Sequence, residues 1–172
     1  MIKPIVLYGN LSLRKPTLPY KKGINVSELI RDLWNTMYNA DGAGLAGPQI
    51  GLPARIFVID LPDQEWKGIF INPLILSYNG EDTIMEEGCL SLPGLTAPVV
   101  RKDKISIEYY DENWKYHQET YQGIRSRVIQ HEYDHLEGVL WIDRVDPTIG
   151  VKLIESLRMI TNREIEVPYP TI

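Results

Sequence analysis

The sequence predicts an α+β fold, the class in which helices and strands are mixed without a regular β-α-β alternation. Three observations lead to this prediction. An apolar stripe at helical spacing follows Ser27, and Asp146-Pro147 begins a helix near the C-terminus. A third helical segment carries paired histidines, and four segments have the composition or alternation of strands. With 172 residues, 44% of them hydrophobic, the chain can form a single domain over residues 1–172 with its own core.

The first predicted helix runs from Ser27 to about Asn39. Ser27 is a typical N-cap residue, and Glu28 favours the first turn of a helix. The apolar residues recur at helical spacing and form one stripe, which consists of Leu29, Ile30, Leu33, Trp34 and Met37. The segment Asp41-Gly42-Ala43-Gly44 then ends the helix and begins a loop that leads to Pro48.

Four segments between this helix and the next are predicted strands. Pro73 interrupts the second of them, because proline cannot donate a hydrogen bond to a neighbouring strand. Asp111-Glu112-Asn113 is a predicted hairpin turn between the last two. The four strands are Arg55 to Asp60, Ile69 to Leu76, Lys104 to Tyr110 and Lys115 to Tyr121.

Two more helices are predicted in the last third of the chain. From about Gly123 to Leu136 the apolar period is helical, and Gly138 is placed to end this helix. The last helix starts behind Asp146-Pro147, with proline near its first position, and runs to about Asn162. One stripe of the earlier helix combines apolar and imidazole side chains, namely Ile124, Val128, His131 and His135.

Composition excludes several classes of protein. The net charge of −5 argues against a nucleic-acid surface, and no segment approaches the ~20 apolar residues that a membrane span needs. The segment Met1–Tyr8 reaches a Gly-Asn turn too soon for a signal peptide. A single cysteine, Cys89, rules out an internal disulfide framework. We therefore expect a cytoplasmic enzyme or binding protein that contacts neither membrane nor nucleic acid.

The chemistry is concentrated in the sequence Gln130–Leu136, which contains His-Glu-x-x-His. Residues four apart on a helix lie on one face, so the imidazoles of His131 and His135 can bind one metal ion. Glu132 can reach a water at that ion and act as general base without being a ligand. Chance pairing is a weak alternative, because two of only three histidines in the chain form this pair.

Cys89 is the expected third ligand, since a thiolate beside a divalent cation is deprotonated outright. A structural zinc site would need four protein ligands. No second cysteine exists, and the remaining histidine, His117, falls on the far strand of the predicted hairpin. Three ligands and one open position are typical of a catalytic site for hydrolysis.

Three segments together resemble the peptide deformylase family, whose signatures are G-x-G-L-A-A-x-Q, E-G-C-L-S and Q-H-E-x-D-H-L. They are Gly42–Gln49, Glu87–Ser91 and Gln130–Leu136, and the resemblance extends from Leu7 through Asp143. It implies an α+β fold with a central metal-binding helix, mainly antiparallel sheets around it, and an N-terminal and a C-terminal helix. It also implies removal of the N-formyl group from the N-terminal methionine of newly made proteins, with release of formate.

The resemblance also implies residue roles. Cys89, His131 and His135 match the family's metal ligands, and Glu132 matches its general acid/base. Gln49 and the Leu90 N–H match groups that bind the developing oxyanion, whereas Gly44 matches a backbone position that lines the formyl and peptide site. From spacing alone, Gln49 is equally consistent with a loop side chain that bonds nearby backbone. The expected ion is Fe²⁺, with Zn²⁺, Ni²⁺ or Co²⁺ also able to occupy a purified sample.

The expected partners are N-formylmethionyl peptides of nascent chains, in an extended conformation along a strand edge, with association with the ribosome as a further expectation. By resemblance, candidates for an apolar pocket around the methionine side chain are Ala43, Met85, Ile124 and Val128; for Met85 and Ile124, core packing is an equal alternative.

The sequence also departs from the family pattern at Gly47, Thr96, Arg125 and Ser126. Gly47 stands where alanine is usual, which predicts a more flexible loop. No departure removes an atom that the chemistry requires, so we expect activity. Two alternatives remain: a zincin-like metallopeptidase that cuts internal peptide bonds, and a catalytically weak relative that binds peptide N-termini.

Overall fold

The strands of the protein form one connected antiparallel sheet. The computed structural model describes residues 1–172, and each strand pairs with the next along the chain, in the order β1-β2-β3-β4-β5. The five strands are β1 (Gly44–Ala46), β2 (Ile56–Leu61), β3 (Trp66–Cys89), β4 (Leu92–Tyr110) and β5 (Tyr116–Gln122). The predicted α+β class is therefore confirmed, and β1 replaces part of the predicted loop before Pro48.

Strands β3 and β4 form a hairpin much longer than predicted. The predicted segments Ile69 to Leu76 and Lys104 to Tyr110 are only parts of strands of 24 and 19 residues. Much of the added length alternates exposed and half-buried residues, so it lacks the apolar signal from which a strand is predicted. Pro73 lies at a register shift between Ile71 and Leu74, where the regular ladder is already interrupted.

Three α-helices accompany the sheet: α1 (Ser27–Asn39), α2 (Ile124–Leu136) and α3 (Pro147–Thr161). Their bounds agree with prediction to within a residue or two. Ser27, however, is the first helical residue rather than the cap; its N–H donates to Asn25 Oδ1 at 3.0 Å. Asp146 caps α3 by accepting from the Thr148 N–H at 2.8 Å. None of the three helices has both the length and the apolar character that crossing a membrane requires.

The core places α2 against the sheet. Ile129 and Leu136 of α2 are fully buried in one cluster with Phe57, Phe70 and Ile107 of the strands. A second cluster packs α1 against β1 and β2, and a third packs α3 against the start of β4. Helix α2 is thus held where residues on its other face can meet the ends of β1 and β3.

The two ends of the chain meet beside these strands. The Ile5 N–H donates to the Pro170 carbonyl at 2.8 Å, and the Ile172 N–H donates to the Ile5 carbonyl at 2.9 Å. The Val6 N–H, on the other edge of the same N-terminal segment, donates to the Gln49 carbonyl at 2.8 Å. The extended tail is therefore tied through the N-terminal segment to the turn that contains Gln49.

Candidate active site and metal centre

Cys89, His131 and His135 come together where the end of β3 meets α2. One ligand atom from each residue lies within 4.8 Å of the other two. The Cys89 Sγ is 3.3 Å from His135 Nε2, and His135 is fully buried. The remaining histidine, His117, lies on β5, where its Nε2 is 2.8 Å from Asp111 Oδ2, and it takes no part in this group. The structure therefore brings together the three predicted ligands and no fourth.

This donor set fits a divalent transition metal. A thiolate and imidazoles suit ions such as Zn²⁺ and Fe²⁺, and three protein ligands leave a position open. The Nδ1 atom of His131 lies 2.9 Å from Glu87 Oε2, which leaves Nε2 free for an ion. A carboxylate behind the imidazole is the usual way in which a metal-binding histidine is oriented.

Glu87, for which the sequence predicted no role, lies directly behind His131. Its buried carboxylate accepts from Arg101 Nε at 2.6 Å and Nη2 at 2.9 Å, and from Arg127 Nη1 at 2.9 Å. Burial alone would raise the pKa of Glu87, but the bonds from Arg101 and His131 outweigh it and hold the pKa well below its ordinary value. Glu87 therefore stays ionised behind His131.

Arg101 extends this network to the far side of α2. Its Nη1 donates to Asp134 Oδ2 at 2.8 Å, and Arg144 Nε donates to the same oxygen at 2.6 Å. Both Arg101 and Asp134 are buried. The guanidinium thus connects the strand that follows the Cys89 turn to the helix that carries both histidines.

Glu132 lies in a pocket without a bonding partner. Its side chain is buried, and its Oε2 has no hydrogen-bond partner in the protein. Burial, the largest effect, raises the pKa of Glu132 to about 7, although the charge of His131 opposes the rise. A carboxyl group with a pKa near neutrality can both accept and release a proton.

Gly44 makes room for Glu132. A Cβ atom built on Gly44 would lie 2.4 Å from Glu132 Oε1 and 2.8 Å from its Cδ. No side chain fits at such a distance, so the absence of one at Gly44 allows the edge strand β1 to approach the carboxylate.

Gln49 points its amide nitrogen toward the metal ligands. Its Oε1 accepts from the Ala46 N–H at 2.8 Å, which leaves Nε2 to face Cys89 Sγ at 3.4 Å and Ser91 Oγ at 3.3 Å. Leu90, with Ser91, forms the two-residue turn between β3 and β4, because Cys89 pairs with Leu92. Gln49 and Leu90 therefore flank the sulfur atom.

One cavity of about 1000 Å³ is lined by most residues of the site, namely Cys89, His131, Glu132, Glu87, Gln49, Gly44 and Leu90, but not by His135. Ala43, Ile124 and Val128, three of the residues considered for an apolar pocket, are part of its lining. Met85, for which core packing was an equal alternative, is not part of this lining.

Two departures from the family pattern lie at or near the cavity. Gly47 is buried, and a Cβ atom there would lie 2.5 Å from the Ala54 carbonyl oxygen. Ala54 therefore occupies the space that a side chain at Gly47 would need. Thr96 is exposed and lines the cavity, which has no cation at this point.

The other two departures, Arg125 and Ser126, lie outside the cavity lining. Arg125 Nη2 donates to the Gln64 carbonyl at 3.1 Å, and the guanidinium lies over the Trp66 ring. Ser126 is buried, and its Oγ accepts from Gln130 Nε2 at 3.0 Å. Both residues are therefore engaged in packing and bonding of α2.

Comparisons with known proteins agree over nearly the whole chain. A family model described as Polypeptide deformylase matches residues 2–149. The peptide deformylase of Christiangramia forsetii is 45% identical over 186 residues, covering 98% of this chain and 94% of that protein. That of Karelsulcia muelleri is 46% identical over 149 residues, covering 84% and 79%. The crystal structure of the Thermus thermophilus peptide deformylase has a TM-score of 0.87 at 37% identity, covering 94% of this chain and 96% of that one.

Proposed function

The chain belongs to the polypeptide deformylase family, and on this premise we propose which of its residues perform the reaction. The enzyme hydrolyses the N-formyl group from the N-terminal methionine of newly made proteins and releases formate. One observation supports the assignment most strongly: the ligand atoms of Cys89, His131 and His135 lie within 4.8 Å of one another. The same cavity is lined by Glu132, Gln49, Gly44 and Leu90.

Cys89, His131 and His135 would hold one divalent metal ion. When bound, such an ion polarises a carbonyl oxygen and lowers the pKa of water. Glu87 keeps His131 oriented through the bond to Nδ1. We propose Fe²⁺ as the ion in the cell, with Zn²⁺, Ni²⁺ or Co²⁺ able to occupy the same ligands in a purified sample, since free competition favours zinc over iron.

Glu132 moves the proton. Its buried carboxylate, with a pKa of about 7, accepts a proton from the attacking water and later delivers it to the departing α-amine. Gly44 leaves the carboxylate the space to face the cavity. No other carboxylate in the cavity is both buried and without a bonding partner, because Glu87 is occupied by arginines and His131.

Gln49 and the Leu90 N–H stabilise the negative charge that develops on the formyl oxygen. The Ala46 N–H fixes the amide of Gln49 in advance, so no reorganisation is needed during the reaction. One such donor is worth about 2.7–4 kcal/mol in other amide hydrolases. A neutral amide also suits this position, because it does not compete with the ligands for the ion.

The substrate enters in an extended conformation. Gly44 lies on β1, which pairs only with β2 and therefore has a free edge for a peptide backbone. Ala43, Ile124 and Val128 offer apolar surface to the methionine side chain. Backbone pairing ignores side-chain identity, which suits an enzyme that acts on many nascent chains.

Residues 1–172 would act as one catalytic domain in the cytoplasm, on nascent chains at or near the ribosome. The net charge of −5 supports the absence of a direct nucleic-acid surface. The substrate chemistry supports the location, because formylated N-termini arise during protein synthesis.

Formate release from a formyl-Met peptide tests the function. Protein purified without air, with its metal content measured, should release formate from that peptide and leave the unformylated peptide intact. A Glu132→Gln variant should keep the metal and lose about 10²- to 10⁴-fold in rate. Metal-loaded wild-type protein that releases no formate, or that cuts internal bonds of the unformylated peptide, would refute the assignment in favour of a weak relative or a peptidase.

A further inference from the structure

The C-terminal tail forms part of the cavity wall. After α3 ends at Thr161, residues Glu164–Tyr169 all line the cavity, beside Leu90 and Leu95. The tail continues to Thr171, which forms a parallel bridge with Ile5. None of these tail residues belongs to the ligand set, to the proton-transfer group or to the oxyanion donors assigned above.

One tail side chain bonds to the turn beside the metal ligands. The Tyr169 hydroxyl donates to the Leu90 carbonyl at 2.8 Å. Leu90 lies between the ligand Cys89 and Ser91, and its N–H is one of the two proposed oxyanion donors. A shift of this two-residue turn would therefore move the donor relative to the reacting carbonyl.

The turn is held from three sides. Gln49 Nε2 donates to Ser91 Oγ at 3.3 Å, and the Tyr8 N–H donates to the Ser91 carbonyl at 2.8 Å. Both of these bonds fix Ser91. The bond from Tyr169 is the side-chain bond that fixes Leu90 itself.

Tyr169 is itself fixed from the N-terminal segment. The Ile5 N–H donates to the carbonyl of the next residue, Pro170, at 2.8 Å, and the Leu7 N–H donates to the Ile172 carbonyl at 3.0 Å. Ile5 and Leu7 are fully buried. The half-buried Tyr169 side chain is therefore attached to backbone that bonds to buried residues. A positioning group requires such a rigid support.

We propose that Tyr169 is a positioning residue for deformylation: its hydroxyl holds the Leu90 turn so that the Leu90 N–H faces the developing oxyanion. The proposal rests on the proposed function, because it assigns Tyr169 a role in that reaction. A donor that stabilises only the transition state affects kcat rather than substrate binding. Loss of the hydroxyl should therefore lower kcat and leave KM nearly unchanged.

The test compares Tyr169→Phe with Tyr116→Phe. Both changes remove one hydroxyl and keep the ring; Tyr116 is exposed on β5 and its hydroxyl bonds to Glu108 at 2.7 Å, away from the cavity. With a formyl-Met peptide and equal metal content, Tyr169→Phe should lower kcat about 3- to 10-fold, the effect of one ordinary hydrogen bond. KM should stay within about twofold, and Tyr116→Phe should match wild type in both constants.

Three results would overturn the proposal. They are an unchanged kcat in Tyr169→Phe, a rise in KM alone, and a fall in kcat explained entirely by lost metal. Formate release by the wild type distinguishes a failure of the Tyr169 positioning role from a failure of the proposed deformylase function. An active wild type with an unaffected Tyr169→Phe refutes the positioning role alone, whereas an inactive, metal-loaded wild type refutes the proposed function on which it depends.

Discussion

At the scale of single residues, the site depends on space as much as on reactive groups. Glu132 is buried with one oxygen unbonded, and it keeps that environment because Gly44 carries no side chain. Gln49 is directed by a single backbone N–H from Ala46. A small change beside either residue should therefore alter the rate without touching a metal ligand.

Gly44→Ala is expected to impair catalysis while metal content is retained. The new methyl group would lie 2.4 Å from Glu132 Oε1, so either the carboxylate or β1 must move. A displacement of about 1 Å in a reacting group can cost about 10²-fold in rate. Steady-state formate release, together with metal analysis, measures the effect.

Gly150→Ala is the matched control for this change. It lies in α3, and its new Cβ atom would meet only Val145 Cγ2, at 3.8 Å. Its activity should equal that of wild type. An unimpaired Gly44→Ala enzyme would contradict the close contact between Gly44 and Glu132 on which the account relies.

At the scale of elements, β3, β4 and α2 are joined by buried charges behind the metal ligands. Glu87 of β3 bonds to Arg101 of β4 and His131 of α2, and Arg101 also bonds to Asp134 of α2. Removing one partner of a buried ion pair leaves an uncompensated charge and is strongly destabilising. This network therefore matters for stability as well as for the orientation of His131.

Arg101→Ala should lower the free energy of unfolding by about 1.5–3 kcal/mol, because Glu87 and Asp134 would each lose one buried charged partner while keeping Arg127 and Arg144. Chemical denaturation with both proteins at equal metal content measures the difference. Lys102→Ala, the next residue along, is the control. Lys102 Nζ lies 3.1 Å from Asp82 Oδ1, and both side chains are exposed. This ion pair should contribute only about 0–1 kcal/mol to the free energy of unfolding. Equal losses in the two variants would show that the buried network has no special role.

Over the fold as a whole, local patterns predicted the three helices and the proximity of Cys89, His131 and His135. The apolar period predicted α1 and α2, and Asp146-Pro147 predicted the start of α3. The His-Glu-x-x-His spacing predicted that His131 and His135 share a face. The outer part of β3 could not be predicted, because it is largely exposed and carries little apolar signal. The start of β4 is partly buried, but Pro93, Gly94 and Pro98 interrupt its pattern and argue against a strand. Strand β1 is only three residues long, too short for a pattern.

The partners behind the site could not be predicted either. A glutamate or arginine in a strand is usually exposed, so nothing in the sequence showed that Glu87 and Arg101 bond to each other in the interior. Tyr169 lies 79 positions from Leu90, and only the folded chain brings them together. A role for Glu87 near the metal could have been predicted from one signal only, its position two residues before Cys89 in the Glu87–Ser91 segment.

Bound metal per chain in single alanine variants tests most directly whether Cys89, His131 and His135 hold the metal that deformylation requires. Cys89→Ala, His131→Ala and His135→Ala should each lose both the metal and formate release, since each supplies one of three ligands. His117→Ala should keep one ion per chain and full activity, because His117 bonds to Asp111 far from the group. A variant of Cys89, His131 or His135 that retained both the ion and the activity would contradict the account.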